Sequence, residues 1–150
     1  MRTVLTVAAP LVAGATTGVT PAAAAPASRG VSLSAYLTGG QEVPKGKGDS
    51  DATGIALLQL YRDGRLCSVI HVRNAGGDID TAHIHRGRPG KNGPVSVPLA
   101  APAWSGSVAA CSKVVDRLAR RLRDDPERYY VNVHSSAFPD GALRGQLHRT

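Results

Sequence analysis

Apolar and polar residues alternate over most of the chain, and a period of two predicts β-strands. Val31, Leu33, Ala35 and Leu37 alternate with Ser32, Ser34, Tyr36 and Thr38, a half-buried strand that Gly39-Gly40 ends. Gln41 to Asp51 is polar, with Pro44 and two Gly, and reads as a loop. Thr53 to Tyr61 is apolar and β-compatible. Arg62-Asp63-Gly64-Arg65 then holds the Asp-Gly of a tight hairpin, and Leu66 to Arg73 returns as the partner strand. Asn74 to Asp78 makes a second turn and Ile79 to His85 another short strand. Arg86 to Pro94 carries three Gly and two Pro, so it is an exposed loop before the strand Val95 to Leu99.

Ala100 to Ala110 is small and irregular. The period then changes once. Val114, Val115, Leu118 and Leu122 fall on one side at helical spacing and predict a helix over 112–124, capped by Ser112 and stopped by Pro126. Tyr129 to His134 returns to strand, with Tyr130, Asn132 and His134 on one face and Tyr129, Val131 and Val133 on the other. Phe138-Pro139-Asp140-Gly141 reads as a turn, and Leu143 to His148 as the last strand. Seven to eight short strands with one helix predict a mostly-β fold, an antiparallel sandwich or barrel.

The N-terminus breaks this pattern. Met1-Arg2 is short and positive, Thr3 to Thr20 carries no charge, and Ala22 to Ala27 is small apart from Pro26. A basic start, an apolar middle and an Ala-x-Ala end describe a cleaved secretory signal over residues 1–27, and so a secreted, extracellular protein. Residues 28–30 are then a short linker and 31–148 the folded domain. Pro10, Pro21 and several Thr make the first stretch a poor permanent span, and no later segment is long and apolar enough to cross a bilayer.

The formal charge is +7, and part of it is local. Lys113 to Arg123 holds Lys113, Arg117, Arg120, Arg121 and Arg123 against Asp116 alone. Arg117, Arg120, Arg121 and Arg123 form the polar side of the helix, a solvated face or a site for anionic envelope polymers. No aromatic residue is interleaved with them, which argues against a nucleic-acid reader. The two cysteines, Cys67 and Cys111, lie in the exported part. An even count in an oxidising compartment favours one disulfide, two buried free thiols being the alternative.

Candidate chemistry rests on the histidines. His83 and His85 share a strand face with Ile84 turned to the core, so two imidazoles stand side by side; His134, at the end of a later strand, offers a third. Neutral imidazole suits copper or zinc, with Asp78, Asp80 and Asp140 as candidate acceptors for the ring N–H groups. Without a metal, the same pair would hydrogen-bond to carbonyls and hold the glycine-rich loop. His71 reads as structural and His148 as exposed. There is no Gly-x-Ser-x-Gly elbow, no distinguishable pair of catalytic carboxylates and no phosphate loop around Gly87-Arg88-Pro89-Gly90.

Several ordered motifs carry a resemblance. Leu37-Thr38-Gly39-Gly40-Gln41-Glu42-Val43-Pro44 opens the domain, and Ala82-His83-Ile84-His85-Arg86-Gly87 precedes Gly90-Lys91-Asn92-Gly93-Pro94-Val95. Tyr130-Val131-Asn132-Val133-His134 and Pro139 to Leu147 close it. Together they resemble a chordin-type (CHRD) domain of secreted bacterial type over residues 31–148. The resemblance implies an immunoglobulin-like or superoxide-dismutase-like β-sandwich and, in the bacterial subgroup, a Cys67–Cys111 pair. Against copper/zinc superoxide dismutase, His83, His85, His134 and Arg144 hold comparable places in chain order. The loop from Arg86 to Pro94 has no His, so dismutase chemistry is not implied. The expectation is a non-catalytic extracellular binding or structural domain with an unassigned protein or envelope partner. Its working loop surface lies around His83, His85, Asn92 and His134, with Tyr130, Asn132 and Arg144 supporting it. The alternative is a mononuclear copper or zinc protein, or a redox enzyme, using the three histidines.

Overall fold

The computed structural model describes residues 30–150. The proposed export signal lies outside them. Nine strands follow in chain order: β1 Val31–Thr38, β2 Thr53–Leu60, β3 Arg65–Arg73, β4 Ile79–Arg86, β5 Val95–Leu99, β6 Gly106–Lys113, β7 Tyr129–Ser135, β8 Phe138–Gln146 and β9 His148–Arg149. One helix, α1, spans Asp116–Asp124. The strands run β5-β4-β7-β8-β1-β2-β3-β6 in one sheet, with β9 alongside β1. The fold is therefore mostly β, antiparallel and folded nearly onto itself as a sandwich or open barrel. A narrow seam divides it. β8 meets β1 in register only at Thr38 and Arg144, whereas β1, β2, β3 and β6 pair along their lengths.

The core follows the pleat. Leu33, Ala35 and Leu37 of β1, Ala56, Leu58 and Leu60 of β2, and Leu66, Ile70 and Val72 of β3 are buried on one half. Ala82, Ile84, Val131, Val133 and Leu143 face them from the other. The outward face of β7 and of the end of β8 is buried too, because the segments after β1 and β4 lie over it: Tyr130, Asn132, Arg144 and Gln146 are all covered. That second, polar interior is where the candidate site sits.

Four boundaries differ from the sequence reading, one of them the last strand, which ends at Gln146 while His148–Arg149 pairs separately with β1. Gly106–Lys113 is a strand, not an irregular stretch, and it pairs with β3 from Arg65↔Lys113 to Val72↔Gly106. As an edge strand it needs no buried face to persist, so its alternation is faint. The helix accordingly starts at Asp116, with extended Val115 at its N-cap; Ser112 belongs to β6 and caps nothing. Phe138–Gly141 runs as the start of β8, and the reversal falls at Ser136-Ala137. Gly141 sits there at φ 137°, and a Cβ on it would meet the Glu42 carboxyl at 2.8 Å.

Cys67 and Cys111 are directly opposed on β3 and β6 and form a disulfide across a sequence separation of 44. Closing a loop of that length restricts the unfolded chain by roughly 3–4 kcal/mol. The Cys67→Ser/Cys111→Ser variant is therefore expected to lose about 2–4 kcal/mol, read as a lower urea midpoint at unchanged slope. An unchanged midpoint would show that β3–β6 pairing needs no covalent tie.

Candidate metal centre

The β4–β7 register sets the site. His83 lies opposite Asn132, His85 opposite Tyr130 and Thr81 opposite His134, so all three histidines share the outward face. The ring centroids of His83 and His85 are 5.6 Å apart, those of His83 and His134 5.4 Å, and those of His85 and His134 6.4 Å. One nitrogen from each ring lies within 4.8 Å of the other two.

Hydrogen bonding settles the free nitrogen for two of the three rings. His85 Nδ1 lies 2.9 Å from the Gly93 carbonyl and His134 Nδ1 2.9 Å from the Pro139 carbonyl. A carbonyl only accepts, so each Nδ1 carries the proton and each Nε2 keeps a free lone pair. His85 Nε2, His134 Nε2 and His83 Nδ1 are all buried, and none has a hydrogen-bond partner. Three buried ring nitrogens without partners each cost about 1–3 kcal/mol in a site that does nothing. Burial lowers the pKa of His83, and the neighbouring His134 and His85 lower it further. Burial likewise lowers that of His85, with His134 and Arg144 adding to the effect against the bond to Gly93. His83 and His85 are thus biased toward neutral imidazole, the form that donates to a metal.

Around the histidines runs a polar network. Strand order places Tyr130 between β4 and β8: its ring stacks on His85 with centroids 5.0 Å apart, and the Arg144 guanidinium lies 3.5 Å from its centre. Arg144, only 2% exposed, donates to Asn92 Oδ1 at 2.9 Å and to the carbonyls of Lys91 and Arg88 at 2.8 and 3.2 Å. Asn92 in turn donates to the Val43 carbonyl, tying the loop after β4 to the loop after β1. The Gly93 N–H donates to the Tyr130 hydroxyl. Asn132 donates to Glu42 Oε1 and to the Leu143 carbonyl.

Of the residues singled out from sequence, His83, His85 and His134 come together, and Asn92, Tyr130, Asn132 and Arg144 pack beside them. The ring N–H groups of His85 and His134 meet backbone carbonyls, not the carboxylates of Asp78, Asp80 or Asp140. Arg117, Arg120, Arg121 and Arg123 lie apart on α1. His71 is held on β3 by the Ser107 hydroxyl and Arg73. Two contributors were not singled out. Gln146 points its amide at the carbonyls of Gly87, Glu127 and Tyr129. Glu42 is a 5% exposed carboxyl, and burial lifts its pKa to about 7 against the opposing pull of Arg144 and Asn132. Its position inside the conspicuous Thr38-to-Pro44 motif was the available signal; in a polar loop it otherwise reads as solvated.

The family model of the CHRD domain matches residues 33–147. No curated protein and no solved structure matches the chain. The chain belongs to the CHRD domain family.

Glu42 generates a pH prediction. Its folded pKa lies above the unfolded value, so the folded state binds the extra proton. The associated stability is complete below about pH 4.5 and is lost as pH rises through about 7. Relative to Glu42→Gln, the unaltered protein should lose on the order of 3 kcal/mol across that window, measured by urea denaturation at stepped pH. Parallel pH profiles for the two proteins would show that Glu42 ionises freely.

Proposed function

We propose that this CHRD-domain protein is exported and binds one transition-metal ion, copper by preference over zinc, through His83 Nδ1, His85 Nε2 and His134 Nε2. The observation that carries the reading is the convergence of three buried, unpartnered imidazole lone pairs. The donor set is all imidazole, with no thiolate or carboxylate in the cluster. Imidazole accepts zinc, copper and nickel, and divalent affinities in such sites peak at copper. An extracellular protein would meet copper in its oxidised form, which suits these ligands.

The role is binding. Three protein ligands leave a coordination position for a small molecule, as in open metal sites generally. His85 and His134 are oriented by the Gly93 and Pro139 carbonyls, which supply the outer hydrogen bonds such ligands need. Those same two bonds also favour a second reading. In it the histidines hold the loop after β4 and the start of β8 in place for a protein partner, with no metal involved.

Titration separates the two. Mature, tag-free protein titrated calorimetrically with Cu(II) and with Zn(II) should bind one equivalent of copper below micromolar concentration. His83→Ala/His85→Ala should bind at least about 100-fold more weakly, since two of three ligands are gone. Copper at about 100 times its dissociation constant should also raise the stability of the unaltered protein by about 2.7 kcal/mol and that of the variant by no more than about 0.4 kcal/mol. Equally weak binding by both proteins would leave the structural reading standing.

A further inference from the structure

Outside the histidine centre, cationic side chains gather where the loop after β4 meets the turn before β7. Arg86, Arg88, Lys91 and Arg128 line a cleft of about 390 Å³ that contains no acidic side chain. A second cavity of about 200 Å³ continues from it. The two share Arg86 and Arg128, and Arg121 of α1 lines the far end beside Asp124 and Asp125. Among the described residues, Arg86, Arg88, Lys91 and Arg121 form no ion pair; Arg128 meets Asp125 at 3.3 Å.

Arg86, Arg88 and Lys91 gather without a counterion, and like charges so placed destabilise a folded surface through mutual repulsion. Here the backbone beneath them is firmly held. Gly87 N–H donates to the Arg128 carbonyl at 2.8 Å and Arg86 N–H to the Pro94 carbonyl at 3.0 Å. The buried Arg144 and Gln146 side chains bind the carbonyls of Arg88, Lys91 and Gly87 from below. The cationic heads therefore stand on a fixed loop, so little ordering entropy remains to be lost when an anion arrives.

We propose that this double cleft binds a linear polyanion bearing repeated sulfate or phosphate groups. Cations spread over two neighbouring cavities that share Arg86 and Arg128 suit a chain of charges more than a single ion. The larger cavity has no aromatic lining, and Tyr129 in the smaller one is buried, so no platform for base stacking is offered. Arginine forks are matched to the oxygens of either anion. The inference does not depend on the metal reading. It centres anion binding on the loop after β4, with Arg121 of α1 at the far end and Arg117 and Arg120 outside both cavities.

The test measures binding of the mature protein to a heparin-type sulfated polysaccharide, to inorganic polyphosphate and to inorganic monophosphate at 0.15 M ionic strength. Both polymers should bind, with monophosphate at least about 100-fold weaker. Arg86→Glu/Arg88→Glu/Lys91→Glu should weaken polymer binding at least about 30-fold and flatten its salt dependence by roughly three charges. The charge-matched control Arg62→Glu/Arg117→Glu/Arg120→Glu reverses cations that line neither cavity, and it should lose less than about 3-fold. Circular dichroism checks the fold, and the milder Arg86→Gln/Arg88→Gln/Lys91→Gln should fall between the two. Binding of one polymer alone would identify the anion and uphold the cleft. Equal losses in both reversal variants would assign the effect to net charge or to the helix face and overturn the proposal, as would failure of both polymers to bind.

Discussion

The Arg144 side chain leaves β8 on the outward face, crosses the ring of Tyr130 and ends among three acceptors of the loop after β4. A guanidinium so nearly removed from water is costly unless its donors are met. Here Asn92 Oδ1 and two carbonyls meet them, and the tyrosine face takes the cation. The loop carries no regular structure of its own between β4 and β5, so its course over the sheet is set by what it can bond to. Asn92 relays the attachment to Val43, and Gly93 comes to rest between the Tyr130 hydroxyl and His85 Nδ1. Removing Arg144 would therefore do more than open a cavity, because the carbonyl that orients one imidazole hangs from the same loop.

The histidine centre follows from that attachment and from the pleat. Strand alternation and the β4–β7 pairing bring His83, His85 and His134 to one face, but they leave each ring free to rotate. The Gly93 and Pro139 carbonyls remove that freedom for two of them and settle their tautomers, so the lone pairs point inward before any ligand arrives. Preorganisation of this kind costs the empty fold stability, since three nitrogen acceptors are buried without partners. Glu42 and Asn132 extend the same logic outward. Burial lifts the Glu42 carboxyl to a pKa of about 7, with Arg144 and Asn132 pulling the other way, so its charge is set by the closed polar interior.

Much of this was legible in the sequence, for identifiable reasons. β1 and β5 fall at their expected limits because hydrophobic alternation or a β-branched run is bounded by Gly or Pro. The shared face of His83 and His85 follows from a period of two, whereas His134 joins them only because β7 pairs with β4. β6 escaped because an edge strand of Ser, Ala and Cys has little to bury; its register comes from β3, which sequence proximity does not reveal. The start of β8 escaped because Pro-Asp-Gly is turn chemistry, used here where Gly141 gives way to Glu42. Glu42 itself, like Gln146, owes its role to contacts made across distant parts of the chain, as in its bond from Asn132, ninety positions away.

The central claim, that three imidazoles are held ready for one ion, is tested most directly by crystals of the copper-loaded protein. Anomalous scattering recorded at the copper edge would locate the ion. The account predicts one peak about 2.0–2.1 Å from His83 Nδ1, His85 Nε2 and His134 Nε2, with the Gly93 and Pro139 hydrogen bonds intact. A peak bound elsewhere, or histidine rings turned away to pair with solvent or loop carbonyls and no ion between them, would contradict it.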